Sequence, residues 1–144
     1  MIALATIGYE NATVDDVIGR LIRAGVATVI DVRAVASSRR PGFSKTMLAA
    51  SLAAAGIDYR HMRASGTPKA GREAARAGRT AEMRAIFADH LSDLDAQAQL
   101  AEATGIAAGT PSALLCYEAD AARCHRAMVA DRIRDAVGCT VVNL

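Results

Sequence analysis

MIALATIGYENATVDDVIGRLIRAGVATVIDVRAV, residues 1–35, holds two short apolar runs separated by an amphipathic segment. Residues 2–7 are apolar or β-branched until Gly8, which reads as a strand and its break. Val14, Val17, Ile18, Leu21 and Ile22 then recur at helical spacing, with Thr13 as N-cap and Gly25 just past the end. The second run, residues 27–35, is rich in β-branched residues and interrupted only by Asp31 and Arg33. A strand, a helix and a strand in so short a span form a βαβ unit, with parallel strands and a right-handed crossover. Strands without polar alternation are buried on both faces, so helices are expected on both sides of the sheet.

The rest of the chain repeats this alternation. Residues 37–45, SSRRPGFSK, are a polar, basic loop broken by Pro41 and Gly42. Ser44 is placed to cap the next helix, whose Leu48, Leu52 and Ala55 share a face before Gly56 ends it. Residues 57–62, IDYRHM, read as a third strand. Residues 63–79 carry Gly66, Pro68, Gly71 and Gly78 among basic residues and read as a long irregular loop. Thr80 is expected to cap a helix with Met83, Ile86, Phe87, His90 and Leu91 on one side, and a second helix follows over roughly 95–107. Residues 112–118, SALLCYE, form the fourth strand, residues 123–137 a helix with Val129, Ile133, Ala136 and Val137 inward, and residues 139–144 a fifth strand. The fold expected is a single α/β domain over residues 1–144. It is a Rossmann-like three-layer sandwich, with a mostly parallel five-stranded sheet and helices on both faces.

Composition narrows the function. A chain of 144 residues is long enough for one full core. With 52% hydrophobic but only 3% aromatic residues, that core is built from Ala, Val, Leu and Ile. A formal charge of +2 does not by itself argue for nucleic acid. Lys45 and Lys69 are the only lysines and the other fifteen basic residues are arginines. That bias follows either from codon usage or from a need for planar forks that grip phosphate and carboxylate. No apolar run approaches the ~18 residues of a membrane span, and MIALATIGYE lacks the basic flank of a secretory leader. Three irregularly spaced cysteines do not make a disulfide framework, so the expected setting is the reducing cytoplasm.

In a parallel sheet, ligands bind outside the carboxyl ends of the strands, and the unusual residues of this chain lie there. Gly8, Tyr9 and Glu10 follow strand one, and Arg33 and the basic loop follow strand two. LLCYEADAARCHR, residues 114–126, closes strand four with two cysteines, a glutamate and a histidine. TIGYEN (6–11), VIDVRAVASSRRPGFSK (29–45), AGIDYRHM (55–62), GTPKAGREAARAG (66–78) and LLCYEADAARCHR together resemble the domain of unknown function 488 family. The resemblance implies an α/β three-layer fold and names no reaction. Its motif positions are Gly8, Tyr9, Glu10, Asp31, Arg33, Arg39, Pro41, Phe43, Lys45, Cys116, Glu118, Cys124, His125 and Arg126. Where such chains usually read leucine-glycine-asparagine-proline-lysine, this one has Ser65, Gly66, Thr67, Pro68 and Lys69.

Two sets of site residues follow. Tyr9, Arg33, Arg39, Arg40, Lys45 and Arg126 are candidates for an anion site, most simply for phosphate, helped by the helix N-terminus at Arg126. In the competing reading Arg33 pairs with Asp31 or Glu118, and Arg39 and Arg40 are solvated. Cys116, Glu118, Glu10 and His125 are candidates for catalysis: a thiolate, two carboxylates and a base. Against this, a cysteine in an apolar strand is commonly plain core, and the two glutamates can simply hold arginines in place. Cys116 and Cys124 can also form a reversible disulfide if they are close enough. A metal site is not expected. Zinc needs three or four ligands, the neighbouring Cys124 and His125 side chains are expected to point apart, and His61 is the one other plausible donor. No cofactor is indicated. The partner expected is an anionic small molecule or nucleotide, with nucleic acid possible and a membrane excluded. The alternative is a nucleic-acid-binding module, with the arginine-rich segments 38–45 and 69–79 on backbone phosphates, or a ligand-sensing module without catalysis.

Overall fold

The computed structural model describes residues 3–144; Ile2, expected to open the first strand, lies outside the described residues. Five strands, β1 (Ala3–Gly8), β2 (Thr28–Asp31), β3 (Asp58–His61), β4 (Ser112–Cys116) and β5 (Thr140–Asn143), form one sheet in the order β3-β2-β4-β1-β5. Every neighbouring pair is parallel. The helices are α1 (Val14–Arg23), α2 (Lys45–Ala54), α3 (Lys69–Arg76), α4 (Thr80–His90), α5 (Leu94–Gly109) and α6 (Arg126–Val137).

Successive strand residues point to opposite faces, and the core divides accordingly. Ala5, Ile7, Val29, Ala113 and Leu115 pack with Val17 and Leu21 of α1 and Leu48 and Leu52 of α2. Leu4, Ile30 and Leu114 pack with Phe87 of α4, Ala96 and Ala103 of α5, and Val129 and Ile133 of α6. The result is the three-layer α/β sandwich, with helices on both faces. No described helix is long and apolar enough to cross a membrane.

Local chemistry sets the element ends. Thr13 closes a capping box with Asp16: its hydroxyl accepts the Asp16 N–H at 3.1 Å, and its own N–H donates to the Asp16 carboxylate at 3.4 Å. Ser44 stands at the N-cap of α2 without capping it, because its hydroxyl instead accepts from Ser38 N (3.0 Å) and donates to Ser38 O (3.1 Å). Thr80 is the first helical residue of α4, and Arg79 takes the cap position. β2 stops at Asp31, earlier than its apolar pattern suggests, because the Asp31 carboxylate captures the Arg33 N–H at 3.1 Å and turns the chain.

The segment 63–79 is not an irregular loop. It holds a 3₁₀ turn, Arg63–Ser65, and the helix α3, which Pro68 precedes in extended conformation. Gly71 lies inside α3 because a Cβ there would collide with the Thr67 hydroxyl. The last helix is also shorter than its pattern, since Ala121–Arg123 form a separate 3₁₀ turn and Cys124 is extended before α6 begins.

Candidate functional site

The order of the strands opens a crevice at β4. The helices that follow β1 and β2 pack on one face of the sheet, and α6, which follows β4, packs on the other. The chain therefore leaves β4 in the direction opposite to both of its neighbours, the arrangement that makes a ligand crevice in open α/β sheets. A cavity of about 170 Å³ lies there, and Arg33, Thr67, Arg72, Arg76, Cys116, Glu118 and His125 are among its walls.

Its floor is a cluster of sulfur and imidazole. His125 Nδ1 is 3.9 Å from Cys116 Sγ and 3.7 Å from Cys124 Sγ. The ligand atoms of all three residues lie within 4.8 Å of one another. His125 Nε2 is 2.7 Å from the Val32 carbonyl oxygen; a carbonyl only accepts, so Nε2 carries a proton and Nδ1 is the nitrogen facing the sulfurs. Contrary to expectation, Cys124 and His125 do not point apart. Cys124 is extended and His125 already helical, and this change of backbone conformation turns both side chains toward Cys116. Glu118 Oε2 completes the group, 3.8 Å from Cys116 Sγ.

These groups perturb one another. Cys116 is pushed well above the usual thiol range, first by its hydrogen bond to Cys124 and then by burial. Burial alone would also raise Cys124, but the Cys116 hydrogen bond and the neighbouring His125 and Arg126 outweigh it and hold the thiol low. Burial would lower His125, and the Cys124 charge and the Val32 carbonyl reverse that and raise it. The Glu118 carboxyl is pushed up to about 7 by burial and by Cys124.

The arginines are arranged differently. Arg33 is 4% exposed and Asp31 0%. Asp31 accepts from Arg33 Nε at 2.9 Å and Nη2 at 2.7 Å, and from the Tyr59 hydroxyl at 2.5 Å. Arg33 Nη1 donates to the Phe43 carbonyl (2.8 Å) and the Tyr9 hydroxyl (3.1 Å). Asp31 outweighs burial and raises Arg33 further; burial and Asp31 likewise raise Tyr59. Tyr9 stacks on Phe43, with ring centroids 4.3 Å apart. Arg126 is fully buried, with Nη1 donating to the Glu118 carbonyl and Nη2 to the Ala119 carbonyl at 3.2 Å. The acceptors that offset a guanidinium at this helix start are thus backbone carbonyls of the preceding loop.

The structure therefore brings Arg33 to the cavity wall with its guanidinium bound to Asp31, and sets Arg126 beneath the loop after β4. Arg40 donates to Ala12 O at 2.7 Å, while Arg39 and Lys45 are exposed and do not line the cavity. Glu10 does not hold an arginine; its carboxylate accepts the Ala119 N–H at 3.1 Å. It meets Glu118 in a neighbouring depression with Arg76 and Arg123. His61 Nε2 is engaged by the Arg33 carbonyl at 2.8 Å and is not near the sulfurs as a ligand. Thr67, Arg72 and Arg76 are not among the candidate site residues read from the sequence, although segment 69–79 is a candidate contact for nucleic-acid phosphates. Arg72 and Arg76 sit one helical turn apart, a spacing that signals a common face only once 69–76 is read as a helix.

Fold and crevice together define a parallel-sheet α/β domain with a cysteine–histidine centre at the end of its central strand. The chain belongs to the family described as Domain of unknown function DUF488, whose model matches residues 13–133. Neither a curated protein nor a solved structure matches it.

Proposed function

We propose that this protein is an enzyme acting on a phosphorylated small molecule, a nucleotide or a nucleic-acid end bound in the crevice at β4. The observation that carries the reading is the composition of one cavity: Cys116, His125 and Glu118 at its floor, Arg72 and Arg76 on its wall. Arg76 has no hydrogen-bond or ion-pair partner among the described residues, whereas Arg72 uses Nη1 to donate to the Thr67 carbonyl at 3.0 Å. Arg72 keeps its remaining N–H groups for a guest. Thr67 lines the same cavity.

A volume of about 170 Å³ suits a phosphate ester group, and the rest of a larger molecule would lie in the adjoining depressions. Arg72 and Arg76 bind and orient the anion. Cys116, His125 and Glu118 supply the reacting groups, and Glu10 positions the loop that carries Glu118. Three free cysteines suit a reducing, cytoplasmic setting.

Thermal shift against inorganic phosphate, sugar phosphates and nucleotides tests the reading. A ligand at 100 times its Kd stabilises by about 2.7 kcal/mol. Hydrogen bonds to charged groups contribute about 1.5–3 kcal/mol each, so Arg72→Ala and Arg76→Ala should each weaken binding by roughly tenfold or more. No stabilisation by any member of the panel, or a shift indifferent to both substitutions, removes the proposal.

A further inference from the structure

We infer that Cys116, Cys124 and His125 hold a thiophilic metal ion, zinc in the first instance, at the floor of this cavity. The inference rests on the preceding reading of the cavity and refines it: with an ion bound, Cys116 and His125 act as its ligands, and the ion and Glu118 supply the reacting groups. Three ligand atoms of the right kind come from two elements, β4 and the turn into α6, and converge in a buried position.

The spacing fits. With metal–sulfur near 2.3 Å and metal–nitrogen near 2.0–2.1 Å, a tetrahedral ion has sulfur–nitrogen edges of about 3.5 Å and sulfur–sulfur edges of about 3.8 Å. The two sulfur–nitrogen separations, 3.7 and 3.9 Å, are within a few tenths of an ångström of those edges, and the three ligand atoms all lie within 4.8 Å of one another. The imidazole is already oriented for the task. Its Nε2–H is held by the Val32 carbonyl at 2.7 Å, the outer hydrogen bond that metal-binding histidines make, and Nδ1 is directed at the sulfurs.

The same geometry says which kind of site this is. Cys116 and His125 line the cavity and Cys124 does not. An ion held by the three has Cys124 behind it and its fourth position open toward the cavity. Three protein ligands and one open position are the pattern of catalytic zinc, whereas structural zinc is closed by four. Glu118, 3.8 Å from Cys116 Sγ, stands beside that position, able to complete the ligand set or to hold a metal-bound water. Two thiolates neutralise a divalent ion, and the soft donors select zinc or copper(I) over magnesium or calcium.

Purified full-length protein, kept reduced and free of chelators, is titrated with Zn²⁺ in competition with a chromophoric chelator, and with Co²⁺ while its absorption is followed. One ion per chain and sulfur-to-cobalt charge-transfer bands are expected. Losing an outer-shell partner already costs 10–100-fold in affinity, so Cys124→Ser and His125→Asn should each weaken zinc by about a hundredfold or more, and Cys139→Ser should leave it unchanged. Alkylation of the unmodified chain gives a readout independent of variant folding. Zinc should protect Cys116 and Cys124 and leave the labelling of Cys139 as it was. Sub-stoichiometric zinc, or labelling of Cys116 and Cys124 indifferent to it, overturns the inference; so does a Cys116–Cys124 disulfide forming equally fast with and without zinc. Arg72→Ala should keep full zinc occupancy, so failure of metal binding and failure of phosphate binding are separate results.

Discussion

Asp31→Asn is expected to destabilise the protein by about 3–5 kcal/mol in urea unfolding, the cost of removing one partner from a buried ion pair. The substitution keeps the shape of the side chain and removes its charge. Arg33 would be left 4% exposed with a guanidinium that no other carboxylate approaches among the described residues. Total stabilities lie near 5–15 kcal/mol, so this one change would take a large share. The double variant Asp31→Leu/Arg33→Met removes both charges and should recover most of the loss, because apolar replacement of a whole buried pair is often neutral. A loss under about 1 kcal/mol for Asp31→Asn would show that water reaches Arg33 and that the pair is not the anchor of β2. The pair also turns the chain out of the sheet at Arg33 and places Phe43 against Tyr9. Its failure should therefore loosen the cavity wall as well as the fold.

Gly8→Ala is the second substitution with a large expected effect, roughly 3 kcal/mol or more, at the upper end of overpacking. A Cβ at this position would lie inside the Glu118 carbonyl and against Ala119. The obstacle is backbone, so no rotamer change relieves it. Either β1 separates from β4 at the Gly8–Cys116 register, or the loop carrying Glu118 moves away from its place over the cavity. Both outcomes spread the floor of the site, so ligand binding should fall even where the chain still folds. Gly105→Ala is the matched control. It lies in α5 with open space around the added methyl, and should stabilise by about 0.5–1 kcal/mol through helix propensity. Equal, small effects of the two substitutions would contradict the close contact at Gly8.

Much of this was legible because it depends on patterns that tertiary contacts do not override. Apolar runs gave β1, β2, β4 and β5, alternation gave β3, Thr13 gave the start of α1, and the polar residues behind β1, β2 and β4 marked one edge of the sheet. The failures have local causes. Gly71 reads as a breaker, yet it is in α3 because Thr67 occupies the space of its missing side chain, a contact no spacing reveals. With α3 unread, Arg72 and Arg76 could not be placed on one face. For Arg33, spacing alone leaves an outside anion and a pairing with Asp31 or Glu118 both open, and Asp31, two residues away, holds it. Cys124 and His125 were expected to diverge because neighbours on a regular helix do. The 3₁₀ turn that ends at Arg123 breaks that regularity.

The position of β1 has a consequence for how this protein is made. β1 leaves the ribosome well before its ladder partners, residues 112–116 and 140–143. Until residues 112–116 emerge it is an apolar strand with two bare edges, and long-range parallel pairing of this kind is slow and prone to aggregation. Stalled nascent chains ending before residue 112 should be cut by protease within β1, and chains released complete should not. Protection of β1 at the earlier length would mean that another segment shelters it on the way.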